Sequence, residues 1–318
     1  MTALSVLAPA KINLHLSVLG RRADGYHSLD SRFHAIGLYD HLTLEDGPQE
    51  VTFTCSEPSL AGSGNLAVRA AEALRRHTGV RRGVRIHLKK EIPSGAGLGG
   101  GSSDAAAVLV GLDRLWGLNL PPSELASIGA DLGSDVPFFI YGGAARVGGR
   151  GEVVMPEKPL ADTWCVLVFP GIHMDTRAVF LEYARTHASE RLTAGLGATI
   201  ITSTSSSANG EPTPGASPSE PDGEGRHAGP DGGKPQNDLQ PLAIALAPEI
   251  GTALDALVLA GGVGPMMSGS GASVFCLSGS RETADQIRHR LQAKPDWRVW
   301  VLPLVSTGPV ISPAGTAG

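Results

Sequence analysis

Cysteine is scarce: Cys55, Cys165 and Cys276 are the whole complement of a 318-residue chain. Odd in number and far apart, they fit neither a disulfide framework nor a zinc site, and they point to a reducing, cytoplasmic setting. Positive charge is not in excess either. Lys and Arg total 26 against 31 Asp and Glu, a formal net charge of −5, which gives no basic field for nucleic acid. The arginines at 75, 76, 81, 82 and 85 read as a solvated helix end and loop. Long apolar runs are missing as well. The N-terminal MTALSVLAPA has no basic residue ahead of its short apolar stretch, so it reads as a first strand rather than a signal peptide. Ala256 to Ser280 carries no charge over a length that could span a bilayer, but Gly, Ser and Pro265 break any continuous apolar helix. We expect no membrane segment, no nucleic-acid partner and no obligate protein partner.

What is abundant is glycine, 42 residues, concentrated in P93-S-G-A-G-L-G-G-G-S-S103. Each glycine makes a chain about 0.5–1 kcal/mol harder to order than alanine would, so an ordered use is needed to offset that cost. A flexible linker is the simple reading. The flanks argue for something else: V84-R-I86-H-L88-K alternates as a half-buried strand does, while Ala105, Val108, Leu109, Leu112 and Trp116 recur at helical spacing. Ser102 and Ser103 sit where an N-cap belongs, with Asp104 in the first turn. Strand, glycine loop and helix start make an anion site of bare backbone N–H groups, most often one for phosphate.

Gly95, Gly97 and Gly100 satisfy G-x-G-x-x-G, but a dinucleotide fold requires a second strand ending in Asp or Glu about 20 residues on. The chain there reads G117-L-N-L-P-P, a turn into another helix. No Lys-Ser or Lys-Thr follows the glycines, which excludes a Walker A loop, and the protein-kinase H-R-D and D-F-G are missing.

With 42% hydrophobic and 18% charged residues, the chain is long enough for two packed domains. Strand-like runs fall around 4–19, 42–55 and 84–89, and helical patterns at 65–77, 102–116 and 123–132. Trp164 to Phe169 reads as a buried strand opening a second half, which gives an N-terminal domain over 1–155 and a C-terminal domain over 156–305. The latter is interrupted at about 199–236: from Ser203 to Gln236 there is no Val, Leu, Ile or aromatic residue, and five acids face two bases, as in a solvated, disordered insertion. G264-P-M-M-S-G-S-G-A-S-V-F275 is a second glycine-rich turn entering a strand, and residues 306–318 read as a frayed tail.

Three further segments could carry chemistry. In A8-P-A-K-I-N-L14, Lys11 is either a strand-edge lysine pointing to water or a buried ammonium needing an anionic partner. In L132-G-S-D-V-P-F-F139, Asp135 is either a turn former bonded to its own backbone or a positioned base. In D24-G-Y-H-S28, Tyr26 and His27 are placed to stack on a flat ligand, or else fill core; no metal-ligand cluster accompanies His27.

Together these segments resemble the GHMP superfamily of small-molecule kinases, whose three motifs correspond to the Lys11 segment, the 93–103 loop and M267-S-G-S-G-A-S-V-F275. P9-A-K-I-N-L14, R22-A-D-G-Y-H27, G133-S-D-V-P-F-F139 and N237-D-L239 narrow the resemblance to the branch that acts on a cytidine-diphosphate-linked methylerythritol on the route to isoprenoids. The resemblance covers all but the insertion and the last dozen residues. It implies an α+β fold of two domains, the first like domain 2 of ribosomal protein S5 and the second ferredoxin-like, with the active site in the cleft between them.

The resemblance further implies ATP-dependent phosphorylation of a 2-hydroxyl, with Mg2+ accompanying the nucleotide. Asp135 would take the hydroxyl proton, and Lys11 beside it would stabilise developing charge, mutual attraction keeping both ionised. Asn13 would orient the hydroxyl. Tyr26 and Phe180 would sandwich cytosine, with His27 reading its edge and Phe33 lining the pocket. Asn65 would contact the adenine end of ATP. Pro93, Ser94, Gly95, Ala96, Gly97, Leu98, Gly99, Gly100, Gly101, Ser102 and Ser103 would hold the nucleotide phosphates. A relative acting on mevalonate, homoserine or a sugar is disfavoured by the D-G-Y-H loop, since those acceptors carry no base. A non-catalytic nucleotide-binding regulator is disfavoured by intact Lys11 and Asp135.

Overall fold

The computed structural model describes residues 3–22, 26–47, 49–187 and 236–315; most of the expected insertion lies outside them. The described chain forms two sheets with helices packed on them. The larger contains β1 (Ala3–Arg21), β2 (His27–Gly47), β3 (Val51–Cys55), β4 (Gly83–Lys89), β5 (Ala144–Gly148), β6 (Val153–Glu157) and a last strand, β11 (Val310–Pro313). Its order is β11-β1-β2-β4-β3, with β5 beside β2 and β6 beside β5. The smaller contains β7 (Trp164–Phe169), β8 (Met266–Met267), β9 (Val274–Ser278) and β10 (Arg298–Pro303), in the order β10-β7-β9-β8 and antiparallel throughout. The α+β expectation holds.

Helices α1 (Leu66–Thr78), α2 (Gly100–Trp116), α3 (Pro122–Leu132) and α4 (Val136–Tyr141) accompany the first sheet. Asn65 caps α1 by accepting the Ala67 N–H at 2.9 Å, a bond of the kind that satisfies an otherwise orphaned donor. The apolar stripe read from the sequence, Ala105, Val108, Leu109, Leu112 and Trp116, is the buried face of α2, packed on Val6, Leu42 and Leu44 of β1 and β2. Around the second sheet lie α5 (Thr176–Thr186), α6 (Gln240–Leu246), α7 (Pro248–Leu259) and α8 (Arg281–Arg290), over a core that includes Val166, Val274, Ile250, Leu257 and Ile287. A third cluster joins the two units: Ala10, Ile12, Ile36, Leu38, Ile92, Ala96 and Leu98 meet Cys165, Leu167, Met266, Phe275 and Leu302.

Three expectations need correcting. The run at 42–55 is the end of β2 followed by β3, and β2 itself begins at His27; its burial pattern is too irregular over the first turn-free half for alternation to reveal it. The tail is not frayed through Pro313, because Leu4 to Leu7 pair with Val310 to Pro313, giving the outer edge of β1 its hydrogen-bond partners. Helix α2 starts at Gly100, with Gly99 (φ 71°) as N-cap rather than Ser102 or Ser103. A left-handed glycine there turns the loop directly into the helix, so Gly100 and Gly101 form a first turn without side chains. The boundary expected at 155/156 falls inside β6.

Among the described residues no single helix is long and apolar enough to cross a membrane, and the uncharged stretch from Ala256 is divided between α7, β8, a turn and β9. Leu109 is fully buried in the first core, so Leu109→Ala should lower stability by about 2–5 kcal/mol, read as a shift in the urea midpoint at unchanged slope.

Candidate active site

Strand β1 carries the first functional side chains. Alternation sends Ala10 and Ile12 into the cluster between the units and turns Lys11 and Asn13 to the other face, toward the cleft. The Lys11 side chain is only 5% exposed, and its Nζ lies 3.8 Å from Asp135 Oδ2. It donates to Asn13 Oδ1 at 2.6 Å and sits 4.6 Å from the centroid of the Phe33 ring. Asn13 Nδ2 in turn donates to Ser31 Oγ at 3.0 Å, and Ser31 donates to the His15 carbonyl. Asn13 thus holds the ammonium in place.

Asp135 arrives from the opposite side, at the start of α4. Its side chain makes no capping bond to that helix, so the carboxylate is not consumed by the turn. The open choices at both positions are resolved: Lys11 is a buried ammonium with an anionic neighbour, and Asp135 is the carboxylate that faces it. Attraction does not win outright, however. Burial pulls the Lys11 pKa down, and Asp135 offsets this only in part, because desolvating an ammonium costs more than a single partly exposed carboxylate returns.

The glycine loop joins β4 to α2, and its carbonyls are all spoken for. Ser94 O is bonded to His173 Nδ1 (3.0 Å), Gly95 O accepts from Met174 N (3.0 Å), Ala96 O from Ser273 N (3.1 Å) and Gly97 O from Ser268 Oγ (2.9 Å). Leu98 O accepts from Lys11 N at 3.0 Å, and Gly99 O from Ser103 N at 2.9 Å. Among the described residues, none of the N–H groups from Gly95 to Ser102 finds an acceptor. Ala96 and Leu98 plug into the apolar cluster between the units, which fixes the loop without placing side chains on its donor face. At Gly97 (φ 75°) a Cβ would overlap the Ser268 carbonyl, and at Gly95 (φ 61°) the His173 ring. Glycine is required at both positions because the second unit packs directly against the backbone.

This loop, Lys11 and Asp135 border one cavity of about 1300 Å3. Asn13, Phe33, Asn65, residues 93–102, Tyr26, His27 and Phe180 also line it. Both ends of the Asn65 amide are engaged, by Ala67 N and the Leu60 carbonyl. Ser103 stands apart: it is fully buried behind the loop and does not line the cavity. His27 stacks on Phe180, with centroids 5.5 Å apart at 21°, while Tyr26 carries the Arg150 guanidinium over its ring at 5.2 Å. The aromatic end and the glycine loop therefore lie at different parts of one cavity, with the Lys11 and Asp135 pair between the two units.

The chain matches the family models for the GHMP kinases N terminal domain over residues 65–143 and the GHMP kinases C terminal domain over residues 227–296. It is 38% identical to a 4-diphosphocytidyl-2-C-methyl-D-erythritol kinase of Synechococcus sp. over 98% of this chain and 97% of the relative. It is 40% identical to one of Salinispora tropica over 91% and 87%. The protein belongs to the GHMP kinase family. A crystal structure of 4-(cytidine 5'-diphospho)-2C-methyl-D-erythritol kinase superposes with a TM-score of 0.68 at 33% identity, covering 94% of this chain and 98% of that one. A homoserine kinase from Cytophaga hutchinsonii reaches the same TM-score at 18% identity, covering 98% of each chain, a likeness of fold alone.

Behind the glycine loop this GHMP kinase holds a buried ion cluster that the sequence did not reveal. Lys90 Nζ contacts Asp40 Oδ2 at 2.5 Å and Asp104 Oδ2 at 2.8 Å, and Asp40 Oδ1 accepts the N–H groups of Glu91 (2.6 Å) and Ile92 (2.9 Å). The cluster ties β2, the entry to the loop and the first turn of α2 together. Burial pulls Lys90 down, but the two carboxylates outweigh it and raise its pKa. Burial likewise pushes Asp104 up to about 8; Lys90 opposes this and Asp40 reinforces it. One ammonium cannot neutralise two buried carboxylates, so Asp104 keeps its proton. The unpartnered Oδ1 of Asp104 therefore belongs to a carboxyl already bonded to a cation, a poor ligand for a divalent metal. Among the described residues no group of three or more His, Cys, Asp or Glu could hold a metal ion, and the residues here do not fit a resident one.

Sequence reasoning also missed Asp40, Lys90, His173 and Ser268, because their partners lie more than ten residues away along the chain and no local pattern marks them. Asn237 was visible only through N-D-L; it donates to the Met267 and Gly269 carbonyls at 2.8 Å each and so shapes the second glycine turn. The raised pKa of Asp104 has a measurable sign. Between its ordinary value of 3.8 and about 8 the folded protein holds a proton that the unfolded chain releases, so this group makes stability fall as pH rises through that window. Asp104→Asn should remove that component, flattening the loss of urea midpoint between pH 5 and pH 8 relative to wild type.

Proposed function

We propose that the protein transfers the γ-phosphoryl group of ATP to the 2-hydroxyl of 4-(cytidine 5'-diphospho)-2-C-methyl-D-erythritol, giving the 2-phosphate and ADP, a step in isoprenoid precursor biosynthesis. The observation that carries this reading is the approach of Lys11 Nζ to within 3.8 Å of Asp135 Oδ2 in the cavity bordered by the glycine loop. Phosphoryl transfer asks a protein mainly for positioning and charge stabilisation, and this cavity offers both.

The N–H groups of the loop, together with the N-terminus of α2, form the cradle for the triphosphate. They are already oriented by the carbonyl bonds behind them, so little reorganisation is needed when the nucleotide binds. Asp135 accepts the proton of the 2-hydroxyl as its oxygen attacks phosphorus. Lys11, whose ammonium Asn13 holds at 2.6 Å, stabilises the charge spreading over the transferring phosphoryl oxygens. The depressed pKa of Lys11 is relieved as phosphate anions arrive, since added negative charge favours the protonated form. Mg2+ enters as the counter-ion of ATP, held by its phosphate oxygens. Tyr26, His27 and Phe180 supply flat surfaces for the cytosine ring.

The high identity to the cytidylyl relatives supports this acceptor over mevalonate or homoserine, whose kinases share the fold at 15–18% identity. A regulator without catalysis is disfavoured by the intact contact between Lys11 and Asp135. Coupled ADP release should therefore appear with the cytidylyl substrate and not with mevalonate or homoserine; tight ATP binding without turnover of any acceptor would favour the regulator. Asp135→Asn should reduce kcat by at least about 100-fold while ATP affinity stays within a few-fold, and near-normal turnover would remove the base assignment. Tyr26→Ala should raise KM for the cytidylyl substrate far more than KM for ATP; equal effects would count against cytosine stacking.

A further inference from the structure

Four cationic side chains among the described residues line the cavity: Lys11, Lys90, Arg150 and Arg177. Lys11 faces Asp135, and Lys90 is held between Asp40 and Asp104. Arg177 lies in the first turn of α5, next to Thr176, whose hydroxyl meets Ser270 Oγ at 2.8 Å on the second glycine turn. Arg150 alone of the four stands at the aromatic end, and nothing in the mechanism above uses it.

The turn that carries Arg150, G148-G-R-G-E152 between β5 and β6, is firmly built. Gly151 N donates to Gly148 O at 3.0 Å, Arg150 N to Glu152 Oε2 at 2.7 Å, and Leu29 N to Gly149 O at 2.7 Å. The last bond fastens the turn to the start of β2, just after Tyr26 and His27. On its other side the turn lies against the catalytic carboxylate, since a Cβ at Gly151 would come within 3.4 Å of Asp135 Oδ1. The guanidinium is anchored at one end only, with Nη2 donating to the Ala130 carbonyl at 3.1 Å. Its Nε is 4.0 Å from Glu152 Oε2, beyond hydrogen-bond distance. Among the described residues Nη1 has no acceptor. The side chain is 31% exposed and packs over the Tyr26 ring.

We infer that Arg150 contacts the substrate directly: its guanidinium binds the diphosphate bridge of the acceptor and makes this kinase select a nucleoside-diphosphate-linked alcohol over the bare nucleoside. The inference rests on the acceptor proposed above. In that molecule the cytosine ring and the reacting alcohol are at opposite ends and the diphosphate lies between them. With the base on the Tyr26 side and the hydroxyl at Asp135, the bridge passes the one incompletely neutralised cation found there. A guanidinium presents two parallel N–H donors to phosphate oxygens, which an ammonium cannot reproduce. Stacking over Tyr26 limits the freedom of the fork before the ligand arrives.

The test is calorimetric binding of cytidine, CMP and CDP to wild type, R150Q and R150K, alongside steady-state kinetics. Wild type should prefer CDP to cytidine, and R150Q should reduce that preference about tenfold or more while cytidine affinity changes less than about threefold. In turnover, KM for the cytidylyl substrate should rise and KM for ATP should not. R150K keeps the charge and loses the fork, so it should retain cytidine affinity and only part of the CDP preference. Equal losses for cytidine and CDP in R150Q would overturn the inference, leaving Arg150 as a brace for Tyr26, as would an unchanged CDP preference. Should R150Q not fold, an R150K protein with undiminished preference overturns it equally. Wild-type protein that binds none of the three ligands would overturn the acceptor reading itself, and this inference with it.

Discussion

The backbone carbonyls of the glycine loop decide what the rest of the site can do. A segment with this many glycines is ordinarily a flexible linker, and its N–H groups would turn toward any acceptor nearby. Here the carbonyls from Ser94 to Gly99 are bonded one after another to His173, Met174, Ser273, Ser268, Lys11 and Ser103. Four of those six partners belong to the second unit. The peptide planes are thereby fixed with their donors turned the other way, and the entropy of ordering the loop is lost on folding rather than on ligand binding. The phosphate cradle is accordingly a product of both units: neither the loop nor its partners would form it alone.

The electrostatics follow from the same close packing. Burial in the cleft depresses the Lys11 pKa despite the carboxylate of Asp135, so the ammonium is short of negative charge until a ligand supplies it. Behind the loop the opposite imbalance is found, two carboxylates on one ammonium, resolved by a proton retained on Asp104. The protein thus places an anion-seeking cation at the surface of the cavity and keeps the counter-charges that anchor the loop out of the solvent. In this arrangement incoming phosphates meet Lys11 and the backbone donors without competing with the aspartates that hold Lys90.

The parts of this architecture that were legible beforehand are those written in short-range patterns. The stripe of α2, the Asn65 cap, the strand at 164–169 and the glycine loop each involve residues a few positions apart, and each was found in place. Lys11 and Asp135 were ambiguous one by one, because a lysine in a strand and an aspartate in a turn each have an ordinary structural use; only their proximity in space decides between uses. The first half of β2 was missed since it is covered unevenly, with both faces partly buried. The start of α2 was displaced by two residues, because serine is a good cap by propensity while the left-handed conformation at Gly99 is visible only in coordinates. Asp40, Lys90 and Arg150 left no local trace at all: their meaning comes entirely from tertiary neighbours.

The return of the chain to its first sheet has a mechanical consequence. The backbone passes from one unit to the other twice, after β6 and again after β10, and the two passages run side by side, Leu304 N donating to Thr163 O at 3.0 Å and Val305 N to Ala35 O at 3.0 Å. Paired crossings of this kind act as the pin of a door. They let one half swing about the line they define but resist sliding and shear, so any widening that admits two bulky nucleotide-bearing molecules pivots at the edge where Leu304 meets Ile36, and the reactive groups return to the same alignment each time the gap narrows.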